Sequence, residues 1–379
     1  MTSRLLSCVV LMALLQVTTS CRVNRTPPKK PSSKILVVGG VGVTGDESVG
    51  TIFEFELDSG ASRLRDTELA TKRALHALGV HEGRLLVSGG FQKFTDRDRP
   101  IRTAELHGAG DGTDVSEAAP PIAKALVMQA HAMAGSRLYT CGGTVGDEKK
   151  TASRACQFYD FESNAWAEVE KPMPRAVYGG SAVSSDDGRY LYVTGLAPPE
   201  PAQPQFAERP RRAAVAAAPF EEELLVQSLD LNTGEWATLP SIKVEHRDAE
   251  DSVAMVSSVA FLPGSSTTLL FCAPFNQETS TPVHELRCRT LDVAAAGEVQ
   301  AAWSPVTTAM WDGASEGLKP PELVVRLLSC GGRLVLYGDH NLEGDTQRAL
   351  ALYDEQKKAF VSVEEFRVRA SFLSEIACV

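Results

Sequence analysis

The sequence lacks most of the short motifs that mark a catalytic or metal site. It contains no CxxC or HExxH pattern for a metal, no GxSxG pattern for a nucleophilic serine and no glycine-rich phosphate loop. The seven histidines are scattered, so we expect neither a metal nor another cofactor. Paired carboxylates such as Glu364 and Glu365 are most simply explained as solvated charge. These absences leave no catalytic constellation to assign.

The chain also lacks an excess of positive charge. Its 379 residues include 38 Lys and Arg against 48 Asp and Glu, a formal net charge of −10. Since nucleic acids and anionic lipid surfaces bind basic proteins, this balance argues against nucleic acid as a partner and against a broad membrane-binding surface. Residues 1–34 contain no acidic residue, so the rest of the chain is more acidic than the total suggests.

Long apolar runs are absent except at the N-terminus. Arg4 precedes an uncharged apolar stretch, Leu5–Val17, which is too short to span a bilayer as a helix and is typical of a secretory signal. The small residues that follow lead to Cys21 and resemble a bacterial lipobox, in which this cysteine is acylated, although Thr18 stands where leucine is usual. Ordinary cleavage before Cys21 is the alternative. We expect a signal peptide at 1–20 and lipidation of Cys21.

The segment 21–34 is basic and rich in proline and serine, which predicts an extended tether. Arg22 follows the cysteine, and by resemblance to sorted lipoproteins this indicates the outer membrane or the cell surface. A solvated linker on a soluble periplasmic or secreted chain is the alternative. Either way, membrane contact is expected only through a lipid anchor.

From residue 35 to 379 the chain repeats two sequence motifs. The first is a short β-branched or aromatic run that ends in Gly-Gly at 39–40, 89–90 and 142–143, and three weaker copies follow. The second is a hydrophobic residue and an aspartate, with a large residue seven positions after the hydrophobic one, as in Tyr159, Asp160 and Trp166. A period near fifty residues with several strands per unit indicates a propeller or a solenoid.

This combination of motifs resembles the kelch repeat, and six copies fill the chain after residue 34. The resemblance implies an all-β, six-bladed kelch β-propeller over residues 35–379. The first run lacks a preceding inner strand, whereas a surplus strand, Ala370–Cys378, ends the chain, so we expect it to close the first blade. A linear array is the alternative. Inner strands are predicted at Ala74–Val80, Ala125–Ala132, Ser252–Ala260 and Leu323–Ser329.

Six cysteines in the repeat region predict disulfides, which export makes chemically available. Two pairs hold corresponding places at the ends of consecutive strands of one blade, where cross-strand bridges are feasible. A third pair joins the sixth inner strand to the closing strand and would lock the ring. Small buried thiols are the alternative. The three predicted bridges are Cys141–Cys156, Cys272–Cys288 and Cys330–Cys378.

A cation followed by a small residue recurs where inner strands are expected to begin. In kelch propellers this boundary lies near the mouth of the central channel, so the resemblance implies a ring of cations that would attract anionic groups. The alternative is that each cation pairs with an acid of the adjoining blade. With a neighbouring histidine and tyrosine, the candidate ligand-binding residues are Arg73, His76, Lys124, Arg175, Tyr178 and Arg369.

The function that follows is a non-enzymatic binding module, monomeric and exported, for a protein or glycan that carries anionic groups. The alternative is an enzyme, because exported six-bladed kelch proteins include a sialic-acid mutarotase of similar length. Proton transfer in such a reaction needs an acid and a base near neutral pKa, and His76 is the obvious candidate. The Pro- and Ala-rich segment 197–223 is predicted to be a surface loop.

Overall fold

The computed structural model describes residues 33–42, 47–93, 99–109, 116–145, 151–197, 221–245, 258–277, 283–293, 304, 307–308, 324–342, 345–363, 366, 371–372 and 374–379. The predicted signal peptide, Cys21, Arg369 and most of the 197–223 segment lie outside these ranges. All regular elements in the described ranges are β-strands. In these ranges no helix is long and apolar enough to cross a membrane.

The first half of the chain supplies twelve strands. They are β1 (Lys34–Val38), β2 (Val41–Gly42), β3 (Ile52–Glu56), β4 (Ser62–Leu64), β5 (Ala77–His81), β6 (Arg84–Ser88), β7 (Ala104–Gly108), β8 (Ser116–Ala119), β9 (Ala130–Ala134), β10 (Arg137–Cys141), β11 (Cys156–Asp160) and β12 (Ala165–Glu168).

The second half supplies fourteen strands, of which several are longer. They are β13 (Ala182–Ser184), β14 (Tyr190–Ala197), β15 (Glu221–Asp230), β16 (Glu235–Glu245), β17 (Ser258–Phe261), β18 (Thr268–Gln277), β19 (Val283–Asp292), β20 (Thr307–Thr308), β21 (Val324–Cys330), β22 (Arg333–Leu342), β23 (Asp345–Asp354), β24 (Ala359–Ser362), β25 (Ser371–Phe372) and β26 (Glu375–Cys378).

These strands form six four-stranded antiparallel sheets, which are the six blades of a β-propeller. Five blades use four consecutive strands, β5–β8, β9–β12, β13–β16, β17–β20 and β21–β24, whereas blade 1 has the order β26-β1-β3-β4. The inner strands contact one another in the cyclic order β26, β5, β9, β13, β17, β21 and back to β26. The ring is therefore closed, and the linear array is excluded.

The C-terminal strand closes the first blade, as the surplus strand predicts. β26 pairs with β1 so that Ile35 lies opposite Cys378 and Val38 opposite Glu375. The expected single strand is interrupted, however: β25 pairs with β2 in a separate two-stranded sheet. Between the two strands, the buried Ser374 hydroxyl donates to the Gly39 carbonyl at 2.9 Å. The closing strand is thus anchored to the end of β1 as well as along it.

Two inner strands begin later than predicted. β5 begins at Ala77 and β9 at Ala130, three and five residues after the predicted starts. The reason is a left-handed residue just before each strand, because Leu75 has φ 47° and Met128 has φ 59°. A left-handed residue cannot continue an extended ladder, so the apolar residues before it contribute only isolated bridges.

In the second motif, the aspartate holds a turn and the large residue packs between blades. Asp160 accepts hydrogen bonds from the backbone N–H groups of Glu162 and Ser163, which holds the turn after β11. The indole N–H groups of Trp166 and Trp236 each donate to a backbone carbonyl of a connection between blades, at 2.9 Å. The motif therefore both stabilises a tight turn within the blade and contacts the connection to the neighbouring blade.

All three predicted disulfides are present. Cys141 lies opposite Cys156 across β10 and β11, and the second pair holds the same place in blade 5. The third bridge joins β21 of blade 6 to the closing strand β26 of blade 1. Three disulfides are typical of a protein that folds in an oxidising compartment. The second and third bridges are Cys272–Cys288 and Cys330–Cys378.

Candidate functional site

The six inner strands surround a cavity of about 730 Å³ on the propeller axis. Residues of β5, β9, β13, β17, β21 and β26 all line it. Each of these strands is at the end of its sheet, so its inner edge presents backbone N–H and C=O groups that no neighbouring strand uses. The volume lies within the range of small-molecule sites in proteins. The axial cavity is therefore the candidate functional site.

One layer of residues links the blades around this cavity. The hydroxyl of Ser181 accepts a hydrogen bond from the Val259 N–H at 2.7 Å, which ties blade 4 to blade 5. Ser258 repeats the contact with the Leu327 N–H at 2.8 Å, which ties blade 5 to blade 6. The hydroxyl protons of both serines stay available as donors, because the oxygens are acceptors in these contacts.

The same layer ends in a buried ion pair. Arg326, on β21, donates from Nε to Glu375 Oε2 at 2.6 Å and from a second nitrogen to Glu375 Oε1. Their side chains are 10% and 3% exposed, and both residues line the cavity. A bidentate pair of this kind holds both groups in one orientation. It also joins blade 6 to the closing strand.

Two histidines lie beside this pair. The Nε2 atom of His131 is 4.0 Å from Glu375 Oε2, and His131 also lines the cavity. Burial lowers the pKa of His131, Glu375 raises it and Arg326 lowers it again; the net pKa is below the usual value. His131 is therefore neutral at neutral pH, with one donor and one acceptor nitrogen.

His76 precedes β5 and is completely enclosed. Burial holds its pKa well below the usual value, and Arg73, His131 and Arg326 lower it further by charge repulsion. Neither of its ring nitrogens has a hydrogen-bond partner among the described residues. A buried imidazole without a protein partner is unusual, and a water or a ligand atom would satisfy it. Among the described candidates from the sequence, His76 is the one placed next to His131 and Arg326.

The predicted cations make contacts within the protein. Arg73 is 0% exposed and donates to Glu105 at 2.7 Å, and to the carbonyls of Gly89 and Thr103. The Lys124 ammonium lies 3.0 Å from a carboxylate oxygen of Glu168. These pairs agree with the alternative in that each cation has an acidic partner, but the acid belongs to the same blade as its cation and not to the adjoining one. Ligand binding by these residues stays a prediction.

The other two predicted residues on the described part of the chain lie at the start of blade 4. The guanidinium of Arg175 is bonded to Glu223. Tyr178 forms a backbone bridge with Leu196 and packs against a cluster that includes Phe271. Neither is among the residues that line the axial cavity. Arg369, the sixth candidate, lies outside the described residues.

A polar residue on the third strand of a blade explains why the connection into the inner strand has the same structure in several blades. Gln157 accepts from the Lys124 N–H at 3.2 Å and donates to the Lys124 carbonyl at 2.9 Å. Gln227 makes the same two contacts with the backbone of Arg175, at 2.9 and 3.1 Å. The third strand thus holds the connection that leads into the inner strand. In blade 2 the carboxylate of Glu105 takes this role.

None of the described ligand-binding candidates from the sequence is among the residues that line the cavity. The sequence does not single out the wall residues His131, Arg326 and Glu375. A signal exists, because Arg326 and Glu375 are single charges within otherwise apolar strands, Val324–Cys330 and Glu375–Cys378. Charges of that kind are seldom buried unless they are paired. What the sequence does not show is that they pair with each other across the closure of the ring.

No family model matches the chain, and no curated protein matches it. Among solved structures, the chain is similar to one described as "Structure of YjhT", at 13% sequence identity with a TM-score of 0.50. The match covers 73% of this chain and 82% of the other. At this identity the likeness supports the fold alone. The fold and the cavity together define a six-bladed β-propeller with an axial site.

Proposed function

We propose that the chain is an exported, lipid-anchored kelch-repeat protein that acts as a non-enzymatic binding scaffold for a protein or a glycan. The observation that carries the proposal is the axial cavity of about 730 Å³, whose wall is built from all six blades. A closed ring of blades holds such a wall rigidly, so little ordering is required when a ligand binds. The fold supplies the binding site, and the polar groups of the wall supply selectivity.

The wall is organised for recognition. Arg326 and Glu375 bind each other, and the serines of the same layer bind backbone N–H groups of the next blade. Their remaining donors and acceptors are therefore held in fixed directions before a ligand arrives. Of the candidates from the sequence, His76 is not among the residues that line the cavity, but it is close enough to the wall residues His131 and Arg326 for their charges to lower its pKa. In this proposal Arg73, Lys124 and Arg175 position the connections between blades.

Export and anchoring belong to the same proposal. The three disulfides support passage through an oxidising compartment. They also use all six cysteines that follow Cys21, which leaves Cys21 for acylation. Mass spectrometry of the membrane fraction is expected to find diacylated Cys21 as the first residue. A mature chain with an unmodified Cys21 would contradict the anchor and leave a soluble exported protein.

The partner is proposed to be a protein or a glycan, with no nucleic acid, and the chain is proposed to be a monomer. The test is a screen of the purified full-length chain against a glycan array and against membrane and secreted proteins of its host. Saturable binding that excess soluble ligand displaces supports a binding scaffold. An absence of saturable binding in both screens would overturn it.

The second candidate is an enzyme that acts on an acidic sugar, such as a mutarotase or an epimerase. The observation that favours it is the imidazole of His131, 4.0 Å from the Glu375 carboxylate in the cavity wall, because these groups perform acid–base catalysis in many enzymes. Proton NMR of freshly dissolved N-acetylneuraminic acid tests it. Anomer exchange that the chain accelerates and that His131→Ala abolishes would favour the enzyme over the scaffold.

A further inference from the structure

We infer that the axial cavity binds an uncharged sugar through neighbouring hydroxyl groups. Four residues of the cavity wall recognise this sugar: His131, Phe261, Arg326 and Glu375. This inference rests on the proposed binding function and names its ligand. It departs from the expectation of an anionic ligand.

The charge of the cavity wall favours an uncharged ligand. Among the described residues, the charged ones that line the cavity are Arg326, Glu375 and Asp186, and His131 is neutral at neutral pH. Arg326 is committed to Glu375 in two hydrogen bonds. An anionic ligand would therefore meet one engaged cation and two carboxylates, whereas an uncharged ligand meets no repulsion.

The hydrogen-bonding groups suit hydroxyls. Each oxygen of Glu375 accepts one bond from Arg326, which leaves each with further acceptor capacity. Two adjacent sugar hydroxyls can donate to these two oxygens at once. The neutral imidazole of His131 lies 4.0 Å from Glu375 Oε2, and its hydrogen bond with the backbone of Gln129 leaves one ring nitrogen for a sugar hydroxyl, which can both donate and accept.

The apolar part of the wall suits the C–H face of a sugar ring. Phe261 lines the cavity at the end of β17. Its ring is packed edge-on against Tyr192, with ring centroids 5.8 Å apart, so its orientation is fixed. Leu78 and Ile376 line the same cavity. A fixed aromatic ring that lines the same cavity as a carboxylate and an imidazole offers a sugar both apolar and polar contacts. The volume is sufficient for a mono- or disaccharide.

The experiment is isothermal titration of the full-length chain with four probes: methyl α-D-glucopyranoside, methyl β-D-galactopyranoside, N-acetyl-D-glucosamine and N-acetylneuraminic acid. At least one of the three uncharged sugars is expected to bind, and more tightly than the acid. Glu375→Gln and His131→Asn are each expected to weaken that binding tenfold or more. His131 takes no part in the Arg326–Glu375 bridge, so the second variant tests the site even if the first fails to fold.

Glu54→Gln is the matched control. Glu54 is a buried acid of the same blade that accepts from Arg65, but it is not among the residues that line the cavity. It is expected to lose stability as Glu375→Gln does, yet to keep its affinity for the sugar within twofold. Thermal unfolding of each variant confirms that the titrated protein is folded.

Three results would overturn the inference. Uncharged sugars that bind the His131 and Glu375 variants as tightly as the unaltered chain would move the site, while the binding function stands. Binding of N-acetylneuraminic acid alone, or of a protein partner but no sugar, would reject the ligand class and again leave the binding function. No binding by any sugar or protein would reject both.

Discussion

The second strand of each blade ends differently in blades 1 to 3 and in blades 4 to 6. In the first three, the second strand has five residues and stops at Gly-Gly, and both glycines have positive φ. In the last three, the second strand has eight to ten residues. It runs through the position of the first glycine, where Gly195, Ala273 and Gly338 pair within the ladder. The glycine pair therefore sets the length of the second strand.

The physical cause lies at the second glycine. A Cβ atom on Gly90 would lie 2.4 Å from the Ala74 carbonyl oxygen, and one on Gly143 would lie 2.5 Å from the Val127 carbonyl oxygen. The chain turns out of the ladder there and lies against the connection into the inner strand. Leu196, Pro274 and Asp339 hold this position in blades 4 to 6, so the hairpins continue.

The largest expected effect concerns the seam, which is the contact between blade 6 and blade 1 that the Cys330–Cys378 disulfide bridges. Replacing Cys330 and Cys378 with alanine is expected to lower the free energy of unfolding by about 4 kcal/mol, because the bridge closes a loop of 48 residues. Removing the Cys141–Cys156 bridge, with a separation of 15, is expected to lower it by about 3 kcal/mol. Urea unfolding of both double variants under non-reducing conditions measures the difference. A smaller loss for the seam would show that blade 6 and blade 1 hold together without it.

Next comes the glycine pair itself. Gly90→Ala is expected to lower the free energy of unfolding by about 3 kcal/mol, since the new Cβ strains the left-handed backbone and meets the Ala74 carbonyl. Gly83→Ala is the control. Gly83 has a similar φ of 73°, but no atom lies within 4 Å of the added Cβ, so about 1 kcal/mol is expected. Equal losses in thermal unfolding would mean that the close approach does not end the strand.

A third prediction uses the two histidines beside the Arg326–Glu375 pair, His131 on β9 and His76 just before β5. Because the pKa of His76 is lowered in the folded chain, the unfolded chain takes up a proton first as pH falls through about 6.5. Stability is therefore fully present above that pH and is lost progressively below it. His76→Gln is expected to flatten this dependence between pH 7 and 5. An unchanged slope in urea unfolding would show that His76 is not held neutral.

The smallest effect tests the long hairpins. Ala273→Gly restores the first glycine in blade 5 without the second. It is expected to lower the free energy of unfolding by about 0.5–1 kcal/mol, through the greater freedom of glycine in the unfolded chain. Hydrogen exchange of β18 and β19 should stay protected up to Gln277 and Val283. Loss of that protection would mean that the first glycine alone ends the strand.

The architecture could be predicted because its signals are local. The Gly-Gly pairs, the aspartate turns and the tryptophans act within one blade or on a connection next to it, and the surplus strand at the C-terminus predicts the closure. The late starts of β5 and β9 could not be predicted, because leucine and methionine are unexpected at the left-handed positions 75 and 128. Strand propensity favours the residues on either side of them.

The candidate site could be predicted only in part. The place of His76 at the start of an inner strand predicts a residue near the axis, and its binding role stays a prediction; the sequence does not predict the acidic partners of the cations. His131, Arg326 and Glu375 come from three distant parts of the chain, and only the ring brings them together. Arg73 shows the opposite case, because a cation at a promising position is buried against Glu105 of the same blade's third strand.

The most direct test of the axial site is hydrogen–deuterium exchange of the full-length chain with and without saturating amounts of whichever uncharged sugar binds in the titrations. We expect slower exchange in β9, β21 and β26, which carry His131, Arg326 and Glu375. Exchange in the outer strands β4 and β12 is expected to be unchanged. Protection confined to the long hairpins of blades 4 to 6, with β9, β21 and β26 unaffected, would contradict an axial site.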